Sequence, residues 1–443
     1  MQADSESHVL TLVSITLRLC NFLLKYKSKT KNDPSSRRFP GLAISNTIPD
    51  LYSDPLKRFI ASRTISNSIR HFHEEIDHFT AFGGYESVSS RQLTWQEQWS
   101  KDRLNQQEIL QDLLSDDDAL TRGFVYSDEG PEGLFHLQYE LQTCEAEGDT
   151  GMCARIQSIM DRLAAKLKMA PPVVPEWFVS SDDVDFYQWN RVDRDFIKED
   201  FPKYHGMWNK ASVMIATSPL KPRDFELHAT NWFSLRHPNV ISLYGACHVS
   251  SPLIFVYEFD PSEITLREFL WRKENRHLTW EKLYEAALGV RHMHQRQVVH
   301  GYLGDENIVI SQGGRAKVGG LQIHNATGTP FKSPEEMWSG VIASLSSDIF
   351  AFGTCIMNAA ASDNFELYKA NQGFLSGEIP ACVSGLSKEQ WDLVVKMCAY
   401  EPQARVDIAY VVGQLKKFAM ERPTRKYRRL QISRNDRHHK SRT

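Results

Sequence analysis

Apolar positions recur at helical spacing through the first 170 residues. Val9, Leu12, Val13, Leu17 and Leu24 mark one helix within residues 8–27. Residues 28–48 are rich in Lys, Ser, Arg and Pro and read as a loop. A long helix begins near Pro55, a favoured first-turn residue. In it Ile69, Phe72, Ile76 and Phe79 step by 3, 4 and 3, the spacing of a packed seam. Gly83-Gly84 ends this helix. Thr94 with Glu97 forms a capping-box pattern opening a third, with Trp95, Trp99, Ile109, Leu110, Leu113 and Leu114 on its apolar side. Leu134, Leu137, Leu141 and Cys144 mark a fourth helix, and Ile156, Ile159, Met160, Leu163 and Leu167 a fifth. No strand signal precedes residue 170. The pattern predicts an all-α bundle of four or five antiparallel helices over residues 1–168.

The period then changes. Met169-Ala-Pro-Pro-Val-Val-Pro175 is a stiff connector, and residues 169–182 read as a linker. Short β-branched runs follow at Ser212–Ala216, Val240–Tyr244 and Leu253–Tyr257, and a long helical region follows Leu266. Strands first and helices after predict an α+β two-lobed domain over residues 183–420, with lobes at about 183–259 and 260–420. Residues 421–443 carry eight Arg and Lys from Arg425 to Arg442 and read as a basic disordered tail. A nuclear-localisation reading and a solubilising reading of that tail are both open.

Composition changes this picture little. An apolar fraction of 41%, a charged fraction of 24% and a net charge of −3 are ordinary for a soluble globular protein, and argue against specific nucleic-acid or membrane binding. The seven cysteines form no CxxC or Cys/His ligand pattern, so reduced, mostly buried thiols are expected. Met1–Glu6 is acidic and a poor signal-peptide start, and Val9–Leu24 is interrupted by Arg18 and Asn21. A cytoplasmic protein is expected, with the nucleus open through the tail. His71-Phe-His73-Glu-Glu-Ile-Asp-His78 is not a zinc pattern, because five helical residues turn about 500° and part His73 from His78. No metal site is expected.

Seven stretches carry a family resemblance. They are Leu235-Arg-His-Pro-Asn-Val-Ile-Ser-Leu-Tyr-Gly-Ala246, Phe255-Val-Tyr-Glu258, Leu266-Arg-Glu-Phe-Leu270, Ala287-Leu-Gly-Val-Arg-His-Met-His294, Ser333-Pro-Glu335, Ser347-Asp-Ile-Phe-Ala-Phe-Gly353 and Glu401-Pro-Gln-Ala-Arg405. Between the fourth and fifth stands Val298-Val-His-Gly-Tyr-Leu-Gly-Asp-Glu-Asn-Ile-Val-Ile310, which has the frame of a kinase catalytic loop. In this order they resemble the protein-kinase fold, nearest the tyrosine-kinase-like group of Ser/Thr kinases, over about residues 185–418. The resemblance implies structural roles. Glu335 would pair with Arg405, Asp348 would hold the catalytic-loop backbone, and Leu243, Trp232, Leu321 and His300 would form the internal hydrophobic column.

The chemical positions depart from the family. Phosphoryl transfer needs a Gly-rich lid, a Lys held by a helix Glu, metal-binding Asp and Asn, and an Asp that orients the attacking hydroxyl. The lid glycines map onto Phe196, Lys198 and Phe201, the Lys onto Ala216, and the helix Glu onto His228. The D-F-G triplet maps onto Gly320-Leu321-Gln322, and the catalytic Asp onto Tyr302. A phenol with a pKa near 10 is no base at pH 7. His300 and Asn307 are retained, and Asn307 alone is a poor Mg²⁺ site. Lys198 and Lys210 are the candidate substitutes for the lost Lys, and Asp305 for the lost Asp. The nucleotide cleft would be lined by Phe196, Phe201, Met214, Tyr257, Glu258 and Val309, with Met214 where the family has a small residue.

A degenerate kinase, a pseudokinase scaffold or allosteric partner, is therefore expected, with no cofactor. The alternative is a weak Ser/Thr kinase using ATP and Mg²⁺. A second alternative is a bundle that acts on membranes or by oligomerising when the kinase-like domain switches, as the layout resembles mixed-lineage-kinase-domain-like proteins. The "FHEEID" and "VPEWFV" stretches are similar to helical regions preceding tyrosine-kinase-like kinases in oomycetes. Protein partners, an active kinase or a second copy through the bundle, are expected.

Overall fold

A computed structural model describes residues 55–82, 95–121, 129–191, 203–321, 332–338, 342–361 and 364–421, apart from a few single positions. It divides into two compact units, residues 1–211 with 246–254, and 212–245 with 255–443. The helix expected within residues 8–27, Gly83-Gly84, Thr94, the lid positions Phe196, Lys198 and Phe201, Lys210, Gln322 and the basic tail lie outside the described residues.

The first unit begins with four described helices: α1 (Pro55–Phe82), α2 (Trp95–Leu113), α3 (Glu129–Glu147) and α4 (Thr150–Leu167). Its core is formed by Leu56, Phe59 and Ile60 of α1 with Leu134, Leu137, Leu141 and Cys144 of α3 and Met152, Ile156, Ile159, Met160 and Leu163 of α4. The Asp149 side chain caps α4 by accepting from the Met152 amide, and Lys168 closes it in the left-handed conformation. The seam expected along α1 is not in this core. Ile69 and Ile76 are 37% and 39% exposed. The second half of α1 packs on α2 instead, through the His73–Trp95 stack at 4.8 Å and the Trp99 indole donating to the Ser66 carbonyl at 3.0 Å. His71 pairs with Glu75 at 3.0 Å, so His71 and His73 both have non-metal neighbours.

The chain after α4 is exposed through Val173 and then buried at Trp177, Phe178, Val179 and Ser180. A 3₁₀ turn, Ser181–Asp183, leads into the antiparallel pair β1 (Val184–Arg191) and β2 (Lys203–Trp208). Asp183 accepts from Thr64 Oγ1 at 2.8 Å and Tyr139 Oη at 2.9 Å and meets Arg63, whose Nη2 also donates to Glu140 at 2.9 Å. Phe178 packs edge-on against Phe135 at 4.6 Å and Tyr139 at 4.9 Å. The stretch before β1 is thus fastened to α1 and α3 by a buried ionic cluster and an aromatic one.

The second unit holds most of the strands β3 (Ala211–Ser218), β4 (Leu243–Cys247) and β5 (Leu253–Glu258), with β5 between the other two, and the helix α5 (Pro222–Phe233). β4 begins three residues later than the alternation of Val240–Tyr244 suggests, because Val240 forms an isolated bridge to Val318. A second sheet follows, β6 (Ile264–Thr265), β7 (Ile308–Ile310) and β8 (Ala316–Val318), with both neighbouring pairs antiparallel. The helical part comprises α6 (Leu266–Trp271), α7 (Thr279–His294), α8 (Pro334–Trp338), α9 (Leu345–Ala360), α10 (Asn364–Ser376), α11 (Lys388–Met397) and α12 (Ile408–Met420). Thr265 and Glu268 cap α6 reciprocally, Ser344 and Ser347 cap α9, and Ser387 and Gln390 cap α11. Helix α9 is buried continuously from Ser347 to Met357, as befits the central helix of this part. Strands followed by helices fit a two-lobed kinase-like fold with a helical region before it. No helix among the described residues is long and apolar enough to cross a membrane.

Candidate functional site

The loop 298–307 leaves α7 through Gln297, whose backbone is left-handed (φ 59°). His300 is fully buried. Its Nδ1 accepts from the Tyr302 amide at 3.1 Å and its Nε2 bonds the Gly319 carbonyl at 2.8 Å. A carbonyl only accepts, so Nε2 carries the proton and the ring is neutral. Burial pushes the imidazole below its ordinary pKa, against the raising effect of Asp348. Asp348, in the first turn of α9, accepts from the His300 amide at 2.8 Å and the Gly301 amide at 2.9 Å and meets His294 Nε2 at 3.0 Å. Asp348 thus holds the loop backbone in shape.

Asn307 is folded inward. Its Nδ2 donates to the Tyr302 carbonyl at 2.8 Å and its own carbonyl accepts from the Gly319 amide at 2.8 Å. Gly320 faces it with φ +73°, a conformation that L side chains rarely adopt. A Cβ at 320 would stand 2.7 Å from Asn307 Cγ and closer still to Oδ1. The Asn307 side chain therefore fills the space where the family's metal-binding Asp would begin. Tyr302 offers its carbonyl to Asn307 and has no carboxylate to replace the missing base.

The other sequence-derived positions fall into two groups. One lies in the strand-bearing part. Ala216 is buried on β3 and presents a methyl group where a phosphate-pairing ammonium is needed. His228 lies on α5, where desolvation lowers its pKa and Asp224 raises it by a smaller effect. Met214, Tyr257 and Val309 are 4%, 8% and 6% exposed, so protein atoms bury all three. Glu258 is ion-paired with Lys317 and accepts from the Ser242 amide at 3.2 Å. Trp232 stacks obliquely on Tyr257 at 5.2 Å and donates its indole N–H to the Ile241 carbonyl at 2.9 Å. With Leu243, Leu321 and His300 it is almost completely buried.

The second group lies in the helical part. Glu335 on α8 meets Arg405 in a two-pronged pair at 2.7 and 2.6 Å. Arg405 also donates to the carbonyls of Ala399, Ser346 and Tyr400. Burial pushes the Glu335 carboxyl up, but its hydrogen bonds and charge pairing with Arg405 together outweigh this and hold it below the ordinary glutamate value. Asp305, the candidate stand-in for the catalytic Asp, is buried and held by Arg267 at 3.0 and 3.1 Å. Its acceptor oxygens are thus spoken for. A cavity of about 30 Å³ beside Tyr302, Asn307, Lys332 and Glu336 has room for a water or two.

The donor set at these positions does not fit Mg²⁺·ATP. No carboxylate stands at 302 or 320, and the one retained amide is engaged with the loop. Among the described residues no group of three or more His, Cys, Asp or Glu side chains could hold a metal ion. Sequence spacing assigned the family positions but did not reveal the Asn307–Gly320 fit, the Arg267–Asp305 pair or the Arg63–Glu140–Asp183 cluster. The partners in these are separated by 13, 38, 77 and 120 residues. The only prior signal was the Gly319-Gly320 pair itself.

A family model, protein tyrosine and serine/threonine kinase, matches residues 213–415. Among curated relatives, an L-type lectin-domain containing receptor kinase of Arabidopsis thaliana is 32% identical over 155 residues, 30% of this chain and 23% of its own length. Spermatocyte protein spe-8 of Caenorhabditis elegans is 29% identical over 143 residues, 29% of this chain and 28% of its own. Tyrosine-protein kinase SRK3 of Spongilla lacustris is 25% identical over 172 residues, 34% of this chain and 51% of its own. The chain therefore spans between about a quarter and a half of the length of these relatives. Residues 213–415 thus match a protein kinase domain.

Proposed function

We propose that this domain is a pseudokinase of the tyrosine-kinase-like group, serving signalling as a scaffold or allosteric partner without phosphoryl transfer. One observation carries the reading: the Asn307 side chain occupies the space in front of Gly320, so the retained metal-site residue braces the loop. The methyl of Ala216, the covered Met214 and Tyr257, and the engaged Asp305 support it. The elements that keep the shape, the Glu335–Arg405 pair and the Asp348-held loop, are complete. Such a domain acts by presenting a surface to a protein partner, an active kinase or a second copy recruited through the helical bundle, in the cytoplasm or, through the basic tail, the nucleus.

Thermal-shift titration of the full chain with ATP, alone and with Mg²⁺ or Mn²⁺, tests the reading, followed by incubation with labelled ATP. The expected result is no metal-dependent stabilisation and no incorporation of label. A metal-dependent stabilisation, with autophosphorylation that is lost in Asn307→Ala, would overturn it in favour of a weak Ser/Thr kinase.

A further inference from the structure

The connector between α4 and β1 belongs to the first unit, and both of its ends are fixed. At its start Lys168 closes α4 in the left-handed conformation, and the Met169 amide donates back to the Ala164 carbonyl at 3.1 Å. At its end the Phe178 amide donates to the Pro175 carbonyl at 3.0 Å. The Ala246 amide donates to the Trp177 carbonyl at 2.8 Å, and the Val179 amide to the Ala246 carbonyl at 3.0 Å. Between these anchors residues 170–174 belong to no helix or strand and make no hydrogen bond among the described residues.

The sequence leaves this stretch little choice of backbone. A proline fixes its own φ near −65°, and a residue before a proline is steered out of the helical region. Within residues 170–175 only Val173 is neither a proline nor a residue before one, and its branched Cβ favours an extended backbone as well. The stretch is therefore extended and close to a polyproline II helix, which carries no internal hydrogen bonds and has three residues per turn. That period puts Ala170 with Val173 on one edge, Pro171 with Val174 on a second, and Pro172 with Pro175 on a third. Ala170 and Pro171 are exposed and Val173 is 89% exposed, whereas Pro172, Val174 and Pro175 are half-buried. The third edge thus lies toward the protein and the other two face outward. Lys168 before the stretch and Glu176 after it are exposed, and neither has a charged partner among the described residues, so the two ends differ in charge.

We propose that residues 170–174 are a docking segment for a polyproline-reading domain, whose aromatic-lined groove takes the edges carrying Ala170, Pro171 and Val173. Such grooves pack rings against an extended, left-handed ligand and ask for no N–H groups along it. A partner that adds a strand is a poor occupant by comparison, because Pro171 and Pro172 have no N–H to offer a sheet edge. The fixed ends and the prolines hold the segment extended before the partner arrives, which lowers the ordering cost of binding. The segment lies outside the kinase-matched residues 213–415, so its role is separate from whether the cleft transfers phosphate.

Titration of the fluorescently labelled full chain with purified SH3, WW and EVH1 domains tests the proposal. Saturable binding of at least one of these probes is expected, weakened about tenfold or more in the P171A/V173D double variant. Should the double variant melt below the parent, Val173→Asp alone, at the most exposed position, carries the comparison with the same expectation. No saturable binding of any of the three probes would overturn the proposal. So would unchanged affinity in the variants, since the partner would then be held elsewhere, for example on the basic tail. Neither failure bears on the pseudokinase reading, which is tested by ATP and metal alone.

Discussion

Gly320→Ala isolates the fit between the Asn307 side chain and position 320. The alanine must adopt φ near +73°, which costs about 1 kcal/mol or somewhat more for a residue with a Cβ. Its Cβ also displaces the Asn307 side chain, so the Nδ2 bond to the Tyr302 carbonyl is lost and that carbonyl is left unmatched, worth about 1–2 kcal/mol. Stiffening of the unfolded chain offsets about 0.5 kcal/mol. The net loss is about 2 kcal/mol. For a domain of this size that lowers Tm by about 4–8 °C, measured by differential scanning calorimetry or by the shift of the urea midpoint at unchanged slope. In an Asn307→Ala background the clash is gone, and Gly320→Ala should cost only the backbone part, about 1 kcal/mol. The double-mutant cycle then gives a coupling of about 1 kcal/mol. A Gly320→Ala variant as stable as the parent, or one equally costly in both backgrounds, would refute the packing of Asn307 against position 320. Gly320→Asp should likewise destabilise and not create a metal site.

Four further substitutions have outcomes set by the structure. His300 is held neutral with a lowered pKa, so its contribution is complete above the ordinary histidine pKa of about 6.5 and is lost as pH falls below it; the acid-side slope of stability against pH should be shallower in His300→Gln, whereas an unchanged slope would place the proton uptake elsewhere. Arg405→Met should cost about 3–5 kcal/mol by stranding the Glu335 carboxylate and three carbonyls, and Glu335→Gln should remove the stability that the parent loses as pH falls below the ordinary glutamate range, both read from urea curves. Leu163→Ala, at a fully buried position of the bundle, should cost about 2–5 kcal/mol and lower the melting of the helical region; a loss under about 1 kcal/mol would mean the site collapses around the gap.

What the sequence determined by itself was local or carried by short spacing. The helices of the bundle announced themselves through 3-and-4 stepping because each buries one face, and α3 and α4 lie where Leu134–Cys144 and Ile156–Leu167 pointed. Capping is equally local: Thr265 with Glu268, Ser344 with Ser347 and Ser387 with Gln390 each close a helix start across three residues. The kinase-like fold was legible because its motifs are short and ordered, and the family match over residues 213–415 covers them. The seam along α1 shows where this ends: Ile69 and Ile76 have the spacing of core residues, but exposure depends on which partner helix reaches them, and α3 and α4 cover the first part of α1 only.

Tertiary structure decided the rest, because the deciding contacts join residues far apart in the chain. Whether Asp305 was a spare base or a structural anion depended on Arg267, 38 residues earlier. Where the Asn307 side chain settles depended on a glycine whose missing side chain makes the room Asn307 occupies. Residues 169–182 read as a linker from the prolines of Met169–Pro175, yet Phe178 is set among aromatic rings and Asp183, the next residue after that span, is bound to Arg63, 120 residues away. Periodicity reports which face of an element is apolar. It carries no information about what distant charge or empty volume that face will meet, and at this site those two quantities set the chemistry.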